Sequence, residues 1–126
     1  MYRPLKFYSE EFVKNVNNRA KEIMTFMYPP ITMYEDNGEI TIEADLPGFN
    51  KDKIKVTVES NAVIIRAERE IKPEGNVFEN QRPERIFKRI ALPLEIDNDA
   101  NYTATYTDGL LTLKIPVKNV KTVKIE

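Results

Sequence analysis

Histidine and cysteine are both absent from the 126 residues, so any chemistry in this chain falls to carboxylates, lysines, arginines and tyrosines. That removes thiol chemistry, disulfide frameworks, zinc sites of the usual kind, and Ser-His-Asp or Cys-His catalysis. Paired carboxylates can hydrolyse a glycosidic bond, but only when they face each other across a cleft. Here the acids fall mostly at alternating positions of strand-like runs, which turns them toward solvent. No nucleophile, base and orienting group form a set, so no enzymatic activity is expected. Asp97-Asn98-Asp99-Ala100-Asn101 begins like a calcium loop, yet its sixth and twelfth positions carry Tyr102 and Asp108 instead of Gly and Glu. A polar connection between strands is expected there. Asn101-Tyr102-Thr103 has the N-glycosylation pattern, which is idle without a secretory route. No Gly-rich phosphate loop is present, and nothing in the sequence calls for a cofactor or a metal.

Charge narrows the partners. The chain carries 19 basic and 20 acidic residues, interspersed, for a net charge of −1. Arg82, Arg85, Lys88 and Arg89 form a modest basic cluster, with Glu79 and Glu84 among them. Ion pairing within or between subunits fits this better than a nucleic-acid face, which is clearly basic. No apolar stretch approaches the roughly 20 residues that span a bilayer. The opening Met1–Lys6 lacks the apolar run of a secretory signal. A soluble cytoplasmic protein is expected, with neither nucleic acid nor membrane as partner.

Three regions must position these residues. Residues 1–28 read as a helical arm. Ser9 can cap a helix, Glu10 and Glu11 suit its positive end, and Phe12, Val16, Ile23 and Met27 recur at three-to-four spacing. Phe7, Tyr8, Phe26, Met24 and Tyr28 add to an adaptable apolar surface. The spacing alone does not separate a partner-binding arm from a helix packed on its own domain. Pro29 and Pro30 end the pattern. Residues 29–117 read as strands and turns. Alternating runs start at Ile31, Glu39, Ile54, Val63, Ile86, Tyr102 and Leu110. Asn37-Gly38 and Asp108-Gly109 predict tight hairpins, because these residue types accept positive φ. Many short strands so spaced predict an antiparallel sandwich. Residues 70–85, with Pro73, Gly75, Pro83 and the apolar pair Val77-Phe78, make a loop long enough to need a role or a strand of its own. Residues 118–126 form a polar tail whose Val123 and Ile125 point the same way if it is extended. Such a segment can fill alternate pockets at a strand edge, or can close its own domain as a last strand.

Taken together, four segments resemble the small heat shock proteins, whose central unit is the α-crystallin domain, and the short tail and compact arm resemble archaeal members most. Pro30–Asp36 resembles the family's opening strand. Ala44-Asp45-Leu46-Pro47-Gly48-Phe49 followed by Ile54-Lys55-Val56 resembles its Leu-Pro-Gly turn and next strand. Ala104 through Leu111 fits its Ala-x-x-x-x-Gly-apolar-Leu signature, and Val123-Lys124-Ile125 fits its terminal Ile/Val-x-Ile/Val motif. The family's Phe-x-Arg-x-apolar-x-Leu-Pro strand is altered here. Counting back from Leu92-Pro93 puts Lys88 at the interface Arg position, and counting forward from Phe87 puts Arg89 there. A lysine does not reproduce the bidentate fork of an arginine.

The resemblance implies an all-β, immunoglobulin-like sandwich with an N-terminal amphipathic helix and an extended tail. It implies a stress-response chaperone that holds unfolding client proteins without ATP. By it, Val77 and Phe78 would be exchanged across a dimer, with Lys88 or Arg89 at the interface. Val123 and Ile125 would dock in a neighbour's groove lined by Ile54, Val56 and Val58 on one side and by Tyr102 and Ala104 on the other. Dimers would so join into a large homo-oligomer, and Phe7, Phe12, Val16, Ile23, Phe26 and Met27 would offer apolar surface to clients. The rival expectation is a monomeric adaptor of the p23 kind, with a similar sandwich but neither the arm nor the terminal motif.

Overall fold

The computed structural model describes Arg19, residues 27–118 and residues 123–126. Seven strands follow one another: β1 (Ile31–Asp36), β2 (Glu39–Asp45), β3 (Ile54–Val58), β4 (Ala62–Glu68), β5 (Arg85–Ala91), β6 (Thr103–Thr107) and β7 (Leu110–Pro116). They form two antiparallel sheets, ordered β1-β2-β7-β6 and β3-β4-β5. Side chains two apart share a face of a strand. Ile40, Ile42 and Ala44 of β2 and Leu111, Leu113 and Ile115 of β7 therefore bury together. They meet Val63, Ile65 and Ala67 of β4 and Ile86 and Ile90 of β5 across the sandwich. The fold is the all-β sandwich expected from the alternation.

Two hairpins close as their turn residues require. Asn37 and Gly38 have φ of 50° and 78°, and Asp108 and Gly109 have 53° and 79°. With both central residues at positive φ, each two-residue loop matches the right-handed twist of its strands. The registers follow, with Asp36 opposite Glu39 and Thr107 opposite Leu110.

The Leu-Pro-Gly turn and the Asp-Gly turn, 60 residues apart, are packed on each other. The Leu46 N–H donates to the Gly109 carbonyl at 2.7 Å. The Tyr106 hydroxyl donates to the Leu46 carbonyl at 2.5 Å and lies 3.1 Å from the Phe49 carbonyl. One phenol thus ties the turn that leaves the first sheet to the strand beside it. Tyr106→Phe should cost about 1–2 kcal/mol, because a half-buried carbonyl loses its donor while the ring still packs. The check is the urea midpoint at fixed protein concentration; an unchanged midpoint removes this role from the hydroxyl.

Candidate functional site

β3 is an edge strand of one sheet and β6 an edge strand of the other, and an apolar recess opens between these two edges. Val56 and Val58 line it from β3, Tyr102, Thr103 and Ala104 from the start of β6, with Leu113 and Ile115 of β7 behind them. Its volume is about 320 Å³. The register explains the lining. Val56 and Val58 sit opposite Ile65 and Val63, so they belong to the inner face, but no further strand covers them and they stay half-buried. Ala104 sits opposite Leu113 and is exposed.

Tyr102 is held in place by its own tip. Its hydroxyl donates to the Asp97 carbonyl at 2.7 Å. Burial, and then the negative charges of Asp97 and Asp99, push its pKa up, so the proton is retained for that bond. Asp97 and Asp99 meanwhile form a local turn, in which the Asp99 N–H donates to Asp97 Oδ1 at 3.0 Å. The polar connection expected there is what forms.

Of the five residues expected to line a groove, four meet in this recess and Ile54 does not. Ile54 borders a larger recess of about 680 Å³, shared with Lys55, Arg66, Glu68, Arg85 and Phe87. That surface is bigger but charged, and Arg66 stacks 5.0 Å from the centre of the Phe87 ring. A dry apolar segment is better matched by the smaller recess, whose walls carry few charges.

The tail is described from Val123 to Glu126. Val123 and Ile125 are 82% and 93% exposed. Those residues join no strand of their own domain, although the sequence pattern allowed a closing strand. The long loop likewise forms no strand within the chain, and it leaves Val77 51% and Phe78 87% exposed.

Strand phase separates Lys88 from Arg89. Lys88 is opposite Ile65, on the inner face with buried Ile86 and Ile90, and Arg89 is opposite Ile64 on the outer face. Lys88 Nζ donates to the Met27 carbonyl at 3.4 Å, where the arm meets the sandwich. Met27 itself is exposed. Phe7, Phe12, Val16, Ile23 and Phe26 lie outside the described residues.

Spacing alone overlooks two residues that organise this end of the molecule. Tyr106 is one; its alternation with Ala104 marks a face but not a hydrogen bond. The other is Arg69, whose guanidinium stacks 4.2 Å from the centre of the Phe49 ring and reaches the turn at Pro47 and Gly48. No local pattern distinguishes it among 19 Lys and Arg residues.

Comparison with known proteins adds to this geometry. Residues 32–126 match the model of the Hsp20/alpha crystallin family. A solved structure of a mutant of hsp14.1 from Sulfolobus solfataricus P2 superposes with a TM-score of 0.78 and 39% identity, covering 99% of either chain. Small heat shock protein C4 of Rickettsia felis is 32% identical over 124 residues, which is 86% of this chain and 76% of that protein. The 18 kDa antigen 1 of Mycobacterium intracellulare is 34% identical over 90 residues. That match takes in 70% of this chain and 60% of the antigen's length.

Proposed function

The chain belongs to the Hsp20/alpha crystallin family, whose members are small heat shock proteins, and from that premise we propose that it is an ATP-independent holdase. It captures unfolding proteins on apolar surface and keeps them from aggregating. Within the family a chaperone role is the general expectation; the assembly described next is this chain's own version of it.

One observation carries the reading. A chain that leaves Val123 and Ile125 in water also leaves an apolar recess open on its own sandwich. A second copy supplies both halves of the match. The tail of one subunit lies along the β3–β6 edges of another, with Val123 and Ile125 entering the recess at Val56, Val58, Tyr102 and Ala104, and Lys124 turned to solvent. This is strand-edge recognition, in which alternate side chains fill pockets. The exposed Val77-Phe78 segment pairs across a dimer, near the β5 strand that carries Lys88 and Arg89. Residues 1–28 then act as the client-binding arm, residues 29–117 as the sandwich and residues 118–126 as the linking tail. No helix among the described residues is long and apolar enough to cross a membrane. A cytoplasmic place of action accords with that and with a cysteine-free chain. The family match supports the chaperone reading over an adaptor of the p23 kind, and a monomeric adaptor would leave the tail and recess without purpose.

The test is light scattering from an unrelated heat-labile protein, warmed with and without this chain and without ATP. Near-stoichiometric amounts are expected to suppress the scattering, while an inert protein does not. No suppression at any temperature where the chain stays folded would overturn the holdase reading.

A further inference from the structure

The Arg69 side chain helps to hold the long loop at its root. Between Glu70 and Arg82 no backbone group bonds the backbone of another described residue. At the root, the Arg69 N–H donates to the Glu84 carbonyl at 2.8 Å. The Arg69 side chain then does more. Its Nε donates to the Pro83 carbonyl at 2.9 Å, on the returning limb. Its Nη1 lies 3.4 Å from the carbonyls of both Pro47 and Gly48, on the Leu-Pro-Gly turn. The guanidinium plane covers the ring of Phe49, which is almost fully buried.

The surroundings are shaped for that group. Gly48 has a φ of 85°, and a Cβ there would stand 2.7 Å from Arg69 Nη1. The glycine of the turn therefore serves the approach of the arginine as well as the bend. A recess of about 490 Å³ lies beside the contact, lined by Tyr28, Pro47, Gly48, Arg69, Gln81, Arg82 and Pro83. Without the guanidinium the returning limb would border open space. Burial, and then the like charge of Arg82, work against the guanidinium. Tyr28 and Glu84 oppose this only in part, and three carbonyls and the Phe49 ring receive the guanidinium.

We propose that Arg69 is a positioning residue, which clamps the two limbs of the 70–84 loop to the Pro47–Gly48 turn and so sets the direction in which Val77 and Phe78 are presented to a partner subunit. This rests on the reading that the loop is exchanged across a dimer. Only arginine fits the task. A lysine can stack its charge on Phe49, but it has no second donor set at an angle to reach Pro83 and the turn together.

The experiment uses the full chain with Arg69→Lys, Arg69→Ala and, as a separate arm, Val77→Ala with Phe78→Ala. Two quantities are read. Cleavage by a glutamate-specific protease after Glu74 and Glu79 reports loop mobility, and mixing of differently labelled copies reports subunit exchange. Both Arg69 variants are expected to be cut at least tenfold faster in the loop and to exchange subunits several-fold faster. The Lys variant should keep nearly the native thermal midpoint, which a general packing role would not allow. Unchanged cleavage in the Lys variant overturns the clamp. Exchange that quickens with the Val77/Phe78 changes but not with the Arg69 changes overturns the positioning role and leaves loop exchange standing. Exchange that quickens in none of the three overturns loop exchange itself, and the positioning role with it.

Discussion

A chain carrying Val123→Ala and Ile125→Ala is expected to have the mass of a dimer, where the proposed tail contacts would give the native chain a larger one. Each apolar side chain docked in the recess contributes at most about 1.5–3 kcal/mol by burial. Truncation to alanine removes most of that from both pockets at once. The loss would be multiplied, because in the proposed assembly every subunit links to a neighbour through its own tail and the whole depends on the product of such contacts. Individually such contacts would open readily, which suits the proposed assembly if it loosens on warming to free the arm for clients. The proposed dimer contact, at the 70–84 loop and β5, lies elsewhere and should survive. Changing the other half of the lock checks the same idea. Ala104→Arg, at an exposed wall of the recess, should reproduce the dimer without altering the tail or the core. Light-scattering mass reads both variants. A native mass in the tail double variant would sink the tail-docking role; a native mass in the recess variant alone would move the docking place away from β3 and β6.

The largest effect on stability is expected at Gly109. Its φ of 79° is in the left-handed region, where an L side chain costs roughly 1–2 kcal/mol. A Cβ there would stand 2.9 Å from the Pro47 Cα, which is backbone and does not swing away. Forcing extra volume into a packed place adds a further cost of about 1–3 kcal/mol. The Leu46 N–H bond to the Gly109 carbonyl and the Tyr106 hydroxyl bonds sit at the same junction, so the displacement spreads. Gly109→Ala should therefore destabilise by about 2–5 kcal/mol in urea unfolding. Gly75 separates the two causes. It has a φ of 91°, and a Cβ there would meet nothing within 4 Å. Gly75→Ala should show the backbone cost alone, in an exposed loop able to relax. If the two variants lose equal stability, the Pro47 contact carries no weight.

Much of the fold was legible residue by residue. Asn37-Gly38 and Asp108-Gly109 announced their hairpins because few residue types accept positive φ in succession, and both turns have that geometry. Alternation at Ile40, Ile42 and Ala44, and at Leu111, Leu113 and Ile115, marked one buried face each, since side chains two apart point the same way. Of the five residues expected to line a groove, Val56, Val58, Tyr102 and Ala104 meet in one recess, and Ile54 borders another. It shares their face, but the recess ends before it. Face is a property of local spacing; the length of a gap between two sheets is not.

By itself, then, the sequence determined strand identity, turn type, the absence of thiol and imidazole chemistry, and the family. All of these rest on neighbours along the chain or on residue types. Only the tertiary structure decided that β3 and β6 are edges facing one another, that Lys88 reaches the Met27 carbonyl, and that Arg69 reaches from the end of β4 to a turn 21 residues before it. These depend on which strands pair and in what register. Pairing is settled by how whole faces pack across a sandwich, and no local spacing carries that information.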